Sequence, residues 1–257
     1  MRHLLFLVCS AMAMPVVAQQ TDKHITTQEL AWLAYKATWR FDQRWSANMD
    51  VQERVTINPV AQHLAGARAT LTRTLGAGWD LGAGLCLFLQ SPNDPYAPSD
   101  LIVPELRPHV ELAAKQKMRY FHMVQRYKAE ARWFHNVENG ALAPGYAFGN
   151  FRLRYRIGLD VPLLKATSGD QEWLGCSISN ELMVNAGKRI TYNVFDQNRA
   201  YLGFYANVCP NLTVELGYLN CYQQRQSGPY FYDRHMVRLG VNQKLGHGKR
   251  AGTPKAG

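Results

Sequence analysis

Three things are scarce in this 257-residue sequence: long apolar runs, cysteines in a useful spacing, and acidic residues to balance the basic ones. A membrane-crossing helix needs about 20 consecutive apolar residues. The longest apolar stretch, near the N-terminus, falls far short of that, so no spanning helix is predicted. Five cysteines occur, none in a CxxC or zinc-like spacing. Cys86, Cys176, Cys209 and Cys221 are expected to be unpaired, because Cys209 and Cys221 would stand at opposite ends of one hairpin, too far apart to bond. No P-loop, dinucleotide fingerprint or metal motif is present, so no cofactor and no metal are expected. Lys and Arg number 29 against 19 Asp and Glu, a net charge of +10. A basic balance can signal nucleic acid. For an exported chain, an anionic solute or a lipid headgroup is the partner class that fits better.

Export is read from the first residues. Met1 to His3, the apolar run Leu4 to Val8 and the small-residue end Pro15 to Ala18 form a secretory signal pattern, with cleavage expected after Ala18. Cys9 leaves with it. The expected organisation is a signal over 1–18, a single domain over 19–245 and a basic, disordered Gly/Pro tail over 246–257.

What the chain has in abundance is alternation. In the run 120–134, YFHMVQRYKAEARWF, one set of alternate positions is Tyr120, His122, Val124, Arg126, Lys128, Glu130 and Arg132. The other is Phe121, Met123, Gln125, Tyr127, Ala129, Ala131 and Trp133. Successive strand side chains point to opposite faces, so this segment would be charged on one side and apolar on the other. Such a strand suits a barrel in lipid, with hydrocarbon outside and a polar lumen inside. It also suits a soluble exported β-sandwich.

The same pattern recurs ten more times. Ala31 to Phe41 and Trp45 to Ile57 flank a turn at Asp42 to Arg44 and predict a hairpin. Glu53 interrupts the apolar face and predicts a bulge or the edge of the apolar zone. Segments follow at 65–72 and 79–90, joined through Gly76, Ala77 and Gly78, and the inward glycines of the second leave room in a narrow lumen. Another begins at Glu105, where Pro108 predicts a bulge or the strand's beginning because it donates no ladder hydrogen bond. The remainder are at 151–161, around 176–184, where Asn180 spoils the apolar face, at 195–208, at 212–218 and at 234–244.

Joins alternate between tight and long. Tight ones fall at 42–44, 76–78, 115–119 and 209–211, long ones at 91–104, 138–149 and 223–230. Outer-membrane barrels show this asymmetry. Trp39, Trp45 and Trp79 flank tight turns, where an aromatic girdle belongs. The fold class expected is therefore all-β, an antiparallel transmembrane β-barrel. Eleven segments are countable, and the even number usual in bacterial barrels raises the estimate to about twelve, with ten possible. The missing strand would lie in 19–30 or after Gln90.

Several phrases in order, ELRP at Glu105 to Pro108, QRYKAEARW at Gln125 to Trp133, RLRYR at Arg152 to Arg156, Asn180 with Glu181, FDQNRAYLG at Phe195 to Gly203 and LGYLN at Leu216 to Asn220, resemble the domain-of-unknown-function 2490 family of outer-membrane-type barrels. The resemblance covers most of the mature chain and implies a barrel exported to the outer membrane of a Gram-negative bacterium. It implies no activity.

Facing inward, the alternation places Arg68, Arg107, Arg126, Lys128, Arg132, Arg152, Arg154, Arg156, Arg199 and Arg238, answered by Glu105, Glu111, Glu130, Asp160, Glu181 and Glu215. One reading is a paired charge network filling a narrow barrel. The sharper reading is a path for anionic solutes, since rings of Arg and Lys are the usual means of anion selectivity. A barrel lipid hydrolase is the enzyme alternative. It would need a serine beside a histidine base, and Ser177 and Ser179 have no such partner in sequence, so no catalytic residue is assigned.

Overall fold

The computed structural model describes residues 22–165 and 172–246. The expected signal segment and the tail from 247 onward lie outside the described residues. Eleven strands follow one another: β1 (His24–Arg40), β2 (Trp45–Thr56), β3 (Ala61–Gly76), β4 (Trp79–Gln90), β5 (Val103–Lys117), β6 (His122–Glu138), β7 (Ala141–Lys165), β8 (Glu172–Ala186), β9 (Phe195–Cys209), β10 (Leu212–Gln224) and β11 (Tyr230–Leu245). They form one closed barrel in which each strand pairs with its sequence neighbours and β1 closes on β11. Closure removes the sheet edges that a sandwich would leave, so the β-sandwich alternative is excluded.

Each segment read from alternation is a strand, and the count of eleven lies within one of the estimate of twelve. The even-number argument assumed that the closing pair is antiparallel. Here β1 and β11 run parallel, in continuous register from His24 opposite Tyr230 to Trp39 opposite Leu245. An odd number of strands therefore closes with every edge paired. Residues 24–30 lengthen β1 instead of adding a strand, and residues 91–102 contain none.

Burial is the reverse of that in a water-soluble domain. Leu33, Met49, Leu85, Val110, Leu153, Phe204, Leu216 and Val237 are exposed, whereas Glu105, Glu130, Lys128 and Arg234 are at most 3% exposed. Large apolar side chains so spread over a surface mark contact with something other than water. Aromatic groups gather at both ends of this apolar band. Trp39, Phe41, Trp45 and Trp79 lie beside the tight turns, and Trp133, Phe148 and Phe151 meet edge-on and tilted in series at the other end, with centroids 5.4 and 4.9 Å apart.

Four local expectations change. Tyr120 and Phe121 belong to the turn before β6, which begins at His122. Residues 138–149 are not a long loop: β6 and β7 continue past the apolar band and reverse at Asn139 and Gly140, both at positive φ. An Asn-Gly pair is the strongest short hairpin signal, and Pro144 and Gly145 had masked it. Register shifts near Trp133 and Val137 absorb the irregularity. Pro108 is neither a bulge nor a strand end; it lies mid-strand opposite Leu85, and the β5·β6 ladder skips Arg107 and Pro108 without changing register. Glu53 points outward within β2, and the expected bulge falls just beyond it, between Arg54 and Val55.

The inward glycines do leave room, and neighbouring side chains fill much of it. Tyr201 lies across Gly203 and Gly217, where an added Cβ would stand 2.1 and 2.5 Å from its hydroxyl oxygen. Phe88 covers Gly66 in the same way. Flat rings over glycines let an eleven-strand wall carry aromatic groups close against its inner face.

Asn180 is reconciled with the apolar face by Asn198. Their side-chain amides donate to each other's oxygens at 3.0 and 2.9 Å on the outer surface. A polar group facing an apolar medium costs free energy unless it is hydrogen-bonded. Replacing Asn180 alone by Ala is expected to destabilise the barrel by about 1–2 kcal/mol, and replacing both asparagines to restore near-native stability. Denaturation in detergent micelles measures the difference, and an additive double variant would contradict the pairing.

Candidate functional site

The interior side chains follow from the period of two along each strand and from cross-strand register. In β6 and β7, Arg126 stands opposite Arg156, Lys128 opposite Arg154, and Glu130 opposite Arg152. Like charges directly opposed are unfavourable, so acids on neighbouring strands must intervene. Glu181 of β8 does so. It accepts from Nη2 of Arg126 at 2.7 Å and takes Arg154 in a forked contact at 2.9–3.0 Å. Arg154 also reaches Glu130 at 2.8 Å, while Lys128 sits 3.3 Å from Glu111 and 3.8 Å from Glu130.

A second knot forms around Glu105, whose side chain is fully buried. Its carboxylate accepts from Nε of Arg107 at 2.5 Å and Nε of Arg132 at 2.6 Å, and Gln90 donates to it as well. The two guanidinium groups rest on Phe88 and Phe134, 4.3 and 4.7 Å from the ring centroids. Arg152 pairs with Asp196 at 2.8 Å. Across the barrel, Glu215 takes Arg238 at 2.9 Å and the hydroxyl of Tyr201 at 2.5 Å. Ten of the twelve candidate charges thus stand in ion pairs; Arg156 and Arg199 line the cavity without one, and Arg199, opposite Glu181 in register, donates to Gln197 at 3.1 Å.

These knots surround a cavity of about 350 Å³ that twelve basic side chains and four acidic ones line. Six of the twelve, Lys36, Arg54, Arg68, Arg156, Arg199 and Arg234, have no carboxylate within ion-pair distance among the described residues. Of the candidate residues, Arg156 and Arg199 belong to this unpaired set. Lys36, Arg54 and Arg234 also stand on the polar side of their strands by alternation alone, whereas Asp196 turns inward only through the register shift between β8 and β9. What the sequence could not give was the curvature that brings β1, β2 and β11 against β5–β9.

The hydrolase alternative finds little geometry. His122, Asp160 and Ser177 lie in one cross-strand row, with the carboxylate in the middle. Ser177 donates to Asp160 at 2.7 Å, which leaves its hydroxyl bonded to an acid rather than to an imidazole base. Cys86 does meet an imidazole, Nδ1 of His109 at 3.5 Å, with Thr70 on the other ring nitrogen at 3.1 Å, but the thiol has no exposure to solvent. Cys86, Cys176, Cys209 and Cys221 are all free.

A closed, inside-out wall, antiparallel at every pair except β1·β11, around a charged cavity defines the class as a porin-like β-barrel. The chain belongs to the family described as "Protein of unknown function (DUF2490)", whose model matches residues 29–232. Among solved structures it is similar to one described as "NanC porin structure in rhombohedral crystal form", with a TM-score of 0.50 and 12% identity over 84% of this chain and 98% of that one. At that identity the likeness concerns the fold. No curated protein matches.

Removing one partner from a buried ion pair strands the other. Glu181→Leu is therefore expected to destabilise the barrel by about 3 kcal/mol or more. Joining it with Arg126→Met and Arg154→Met is expected to recover most of that loss. Heat-dependent migration of the folded barrel on gels reads both.

Proposed function

We propose that this protein is an outer-membrane β-barrel of a Gram-negative bacterium, exported by its N-terminal signal, whose lumen passes or holds small anionic solutes. The observation that carries this reading is the set of six basic side chains lining the cavity without a carboxylate partner. Buried cations are normally paired, because leaving water costs several kcal/mol per ion. Here Glu105, Glu130, Glu181, Glu215 and Asp196 answer part of the positive charge, and the rest faces the cavity. The outer ring of apolar side chains supports contact with membrane lipid, with aromatic groups at both ends at the depth of the interfaces. The barrel acts without catalysis in this reading.

A second reading is structural: the knots around Glu105 and Glu181 fill the lumen and lock the wall. It draws on the same ion pairs and differs in leaving no conducting path.

Planar bilayers decide between them. With a salt gradient across the bilayer, the reversal potential is expected to indicate anion preference, and Arg68→Glu with Arg156→Glu to reduce or invert it. Cation preference in the native protein would overturn the proposal, and the absence of any conductance would favour the structural reading. Recovery of the folded, heat-modifiable protein in the outer-membrane fraction tests the location.

A further inference from the structure

Three of the unpaired cations converge on one end of the cavity, and their surroundings are more selective than a general positive field. Arg199 on β9 and Arg234 on β11 both stand opposite Cys221 of β10, so they flank it in a single cross-strand row. Arg54 of β2 lies with its guanidinium 3.8 Å over the ring of Trp32, and Arg199 lies 5.7 Å from the same centroid. Arg54, Arg199 and Arg234 all line the same cavity. Arg54 and Arg199 thus share one indole, which Arg238, already paired with Glu215, also approaches at 5.3 Å, while Arg234 stands across Cys221 from Arg199 with its guanidinium 4.3 Å over the ring of Tyr232.

Every hydrogen bond these groups make goes to a neutral amide. Arg54 donates to Gln52 at 3.1 Å, and Arg199 to Gln197 at 3.1 Å. Arg234 donates to Gln28 at 2.8 Å, to Asn93 at 2.9 Å and to Gln223. Amide oxygens orient a guanidinium but do not neutralise it. Arg54 and Arg234 are 8% and 3% exposed, and Nε of Arg54 is buried with no acceptor. A guanidinium carries five N–H donors, so most of the donors of Arg54 and Arg199 are not engaged by protein.

We propose that Arg54, Arg199 and Arg234 form a binding site for a phosphoryl dianion, the free ion or an ester, and that Asn93 occupies part of it until the ligand arrives. This deepens the anionic-solute reading and rests on it. Three cations around one point suit a doubly charged tetrahedral group with at least three acceptor oxygens. Arginine forks match phosphate oxygens two at a time. A monocarboxylate offers one charge and two oxygens, which leaves one arginine unanswered.

Asn93 belongs to the segment 91–102 between β4 and β5, yet it reaches the opposite wall. Its backbone carbonyl accepts from Gln28 at 2.7 Å, and its side chain accepts from Nη2 of Arg234. That contact ties the loop across the loop end of the barrel and places a neutral acceptor where a phosphoryl oxygen would bond. A phosphoryl group, being charged, replaces it at a gain in electrostatic attraction, and the loop is then released from Arg234.

The test uses the folded, full-length mature barrel in detergent. Inorganic phosphate, a sugar phosphate and acetate are titrated calorimetrically at equal ionic strength. Phosphate and its ester are expected to bind at least about ten-fold more tightly than acetate, the gain that charge-assisted forked contacts provide. If the free ion binds and the ester does not, the ligand is the free ion; the reverse assigns the ester. Arg234→Gln and Arg199→Gln should each weaken phosphate about ten-fold and acetate by a smaller factor, and Asn93→Ala should strengthen phosphate a few-fold. Phosphate should also raise the melting temperature of the native barrel and not that of Arg54→Gln, which guards against a variant that merely folds poorly. Equal affinity for phosphate and acetate, or arginine variants with native phosphate binding, would overturn the site. Anion-selective conductance without phosphate preference would overturn this inference alone, whereas cation selectivity would overturn the functional reading beneath it.

Discussion

The parallel contact between β1 and β11 is the constraint on which the rest of the structure depends. A sheet bathed in an apolar medium can leave no backbone N–H or C=O unpaired, because water is absent to receive them. Sixteen successive partners along that seam, from His24 to Trp39, complete the hydrogen-bonded ring. Once the ring is closed, each strand has only two directions for its side chains, and alternation divides the sequence into an outer and an inner population. The apolar half faces outward and the charged half is confined to a narrow interior. Its crowding there follows from closure rather than from any single pair.

Confinement sets the electrostatic problem that the interior solves in two ways. Over β5–β8 the acids Glu105, Glu130 and Glu181 each serve more than one base, and aromatic faces carry the back of Arg107 and Arg132. Over β9–β11, β1 and β2, Asp196 and Glu215 hold Arg152 and Arg238, but Arg54, Arg199 and Arg234 meet glutamine, asparagine and aromatic rings. The first arrangement stiffens the wall. The second leaves charge without a carboxylate partner. Paired and unpaired bases therefore line one cavity.

The strands were legible because period-two alternation survives in almost every segment, and the tight turns because glycine, asparagine and aspartate mark them. Where legibility failed, a local signal misled. Pro144 and Gly145 suggested a loop in what is a long hairpin, although Asn139 and Gly140 announced its reversal. Pro108 suggested a bulge, yet a ladder can skip two residues and keep its register. Asn180 looked like an error on an apolar face until Asn198, eighteen residues away, supplied its reciprocal bond. The candidate charges were identified residue by residue from alternation, but their partners were not, since Glu181 and Arg126 are 55 residues apart and no local pattern connects them.

By itself the sequence determined which side chains would face one way and which the other, because the strand period depends only on backbone geometry. It also determined the sign of the interior, through the excess of Lys and Arg over Asp and Glu on the polar face. Only the tertiary structure decided that eleven strands suffice, since parallel closure depends on how the two ends of the sheet meet. It alone decided which arginines found carboxylates and which, like Arg54, Arg199 and Arg234, met only neutral amides. Register and curvature bring residues from opposite ends of the chain together, and neither is written in any one stretch of it.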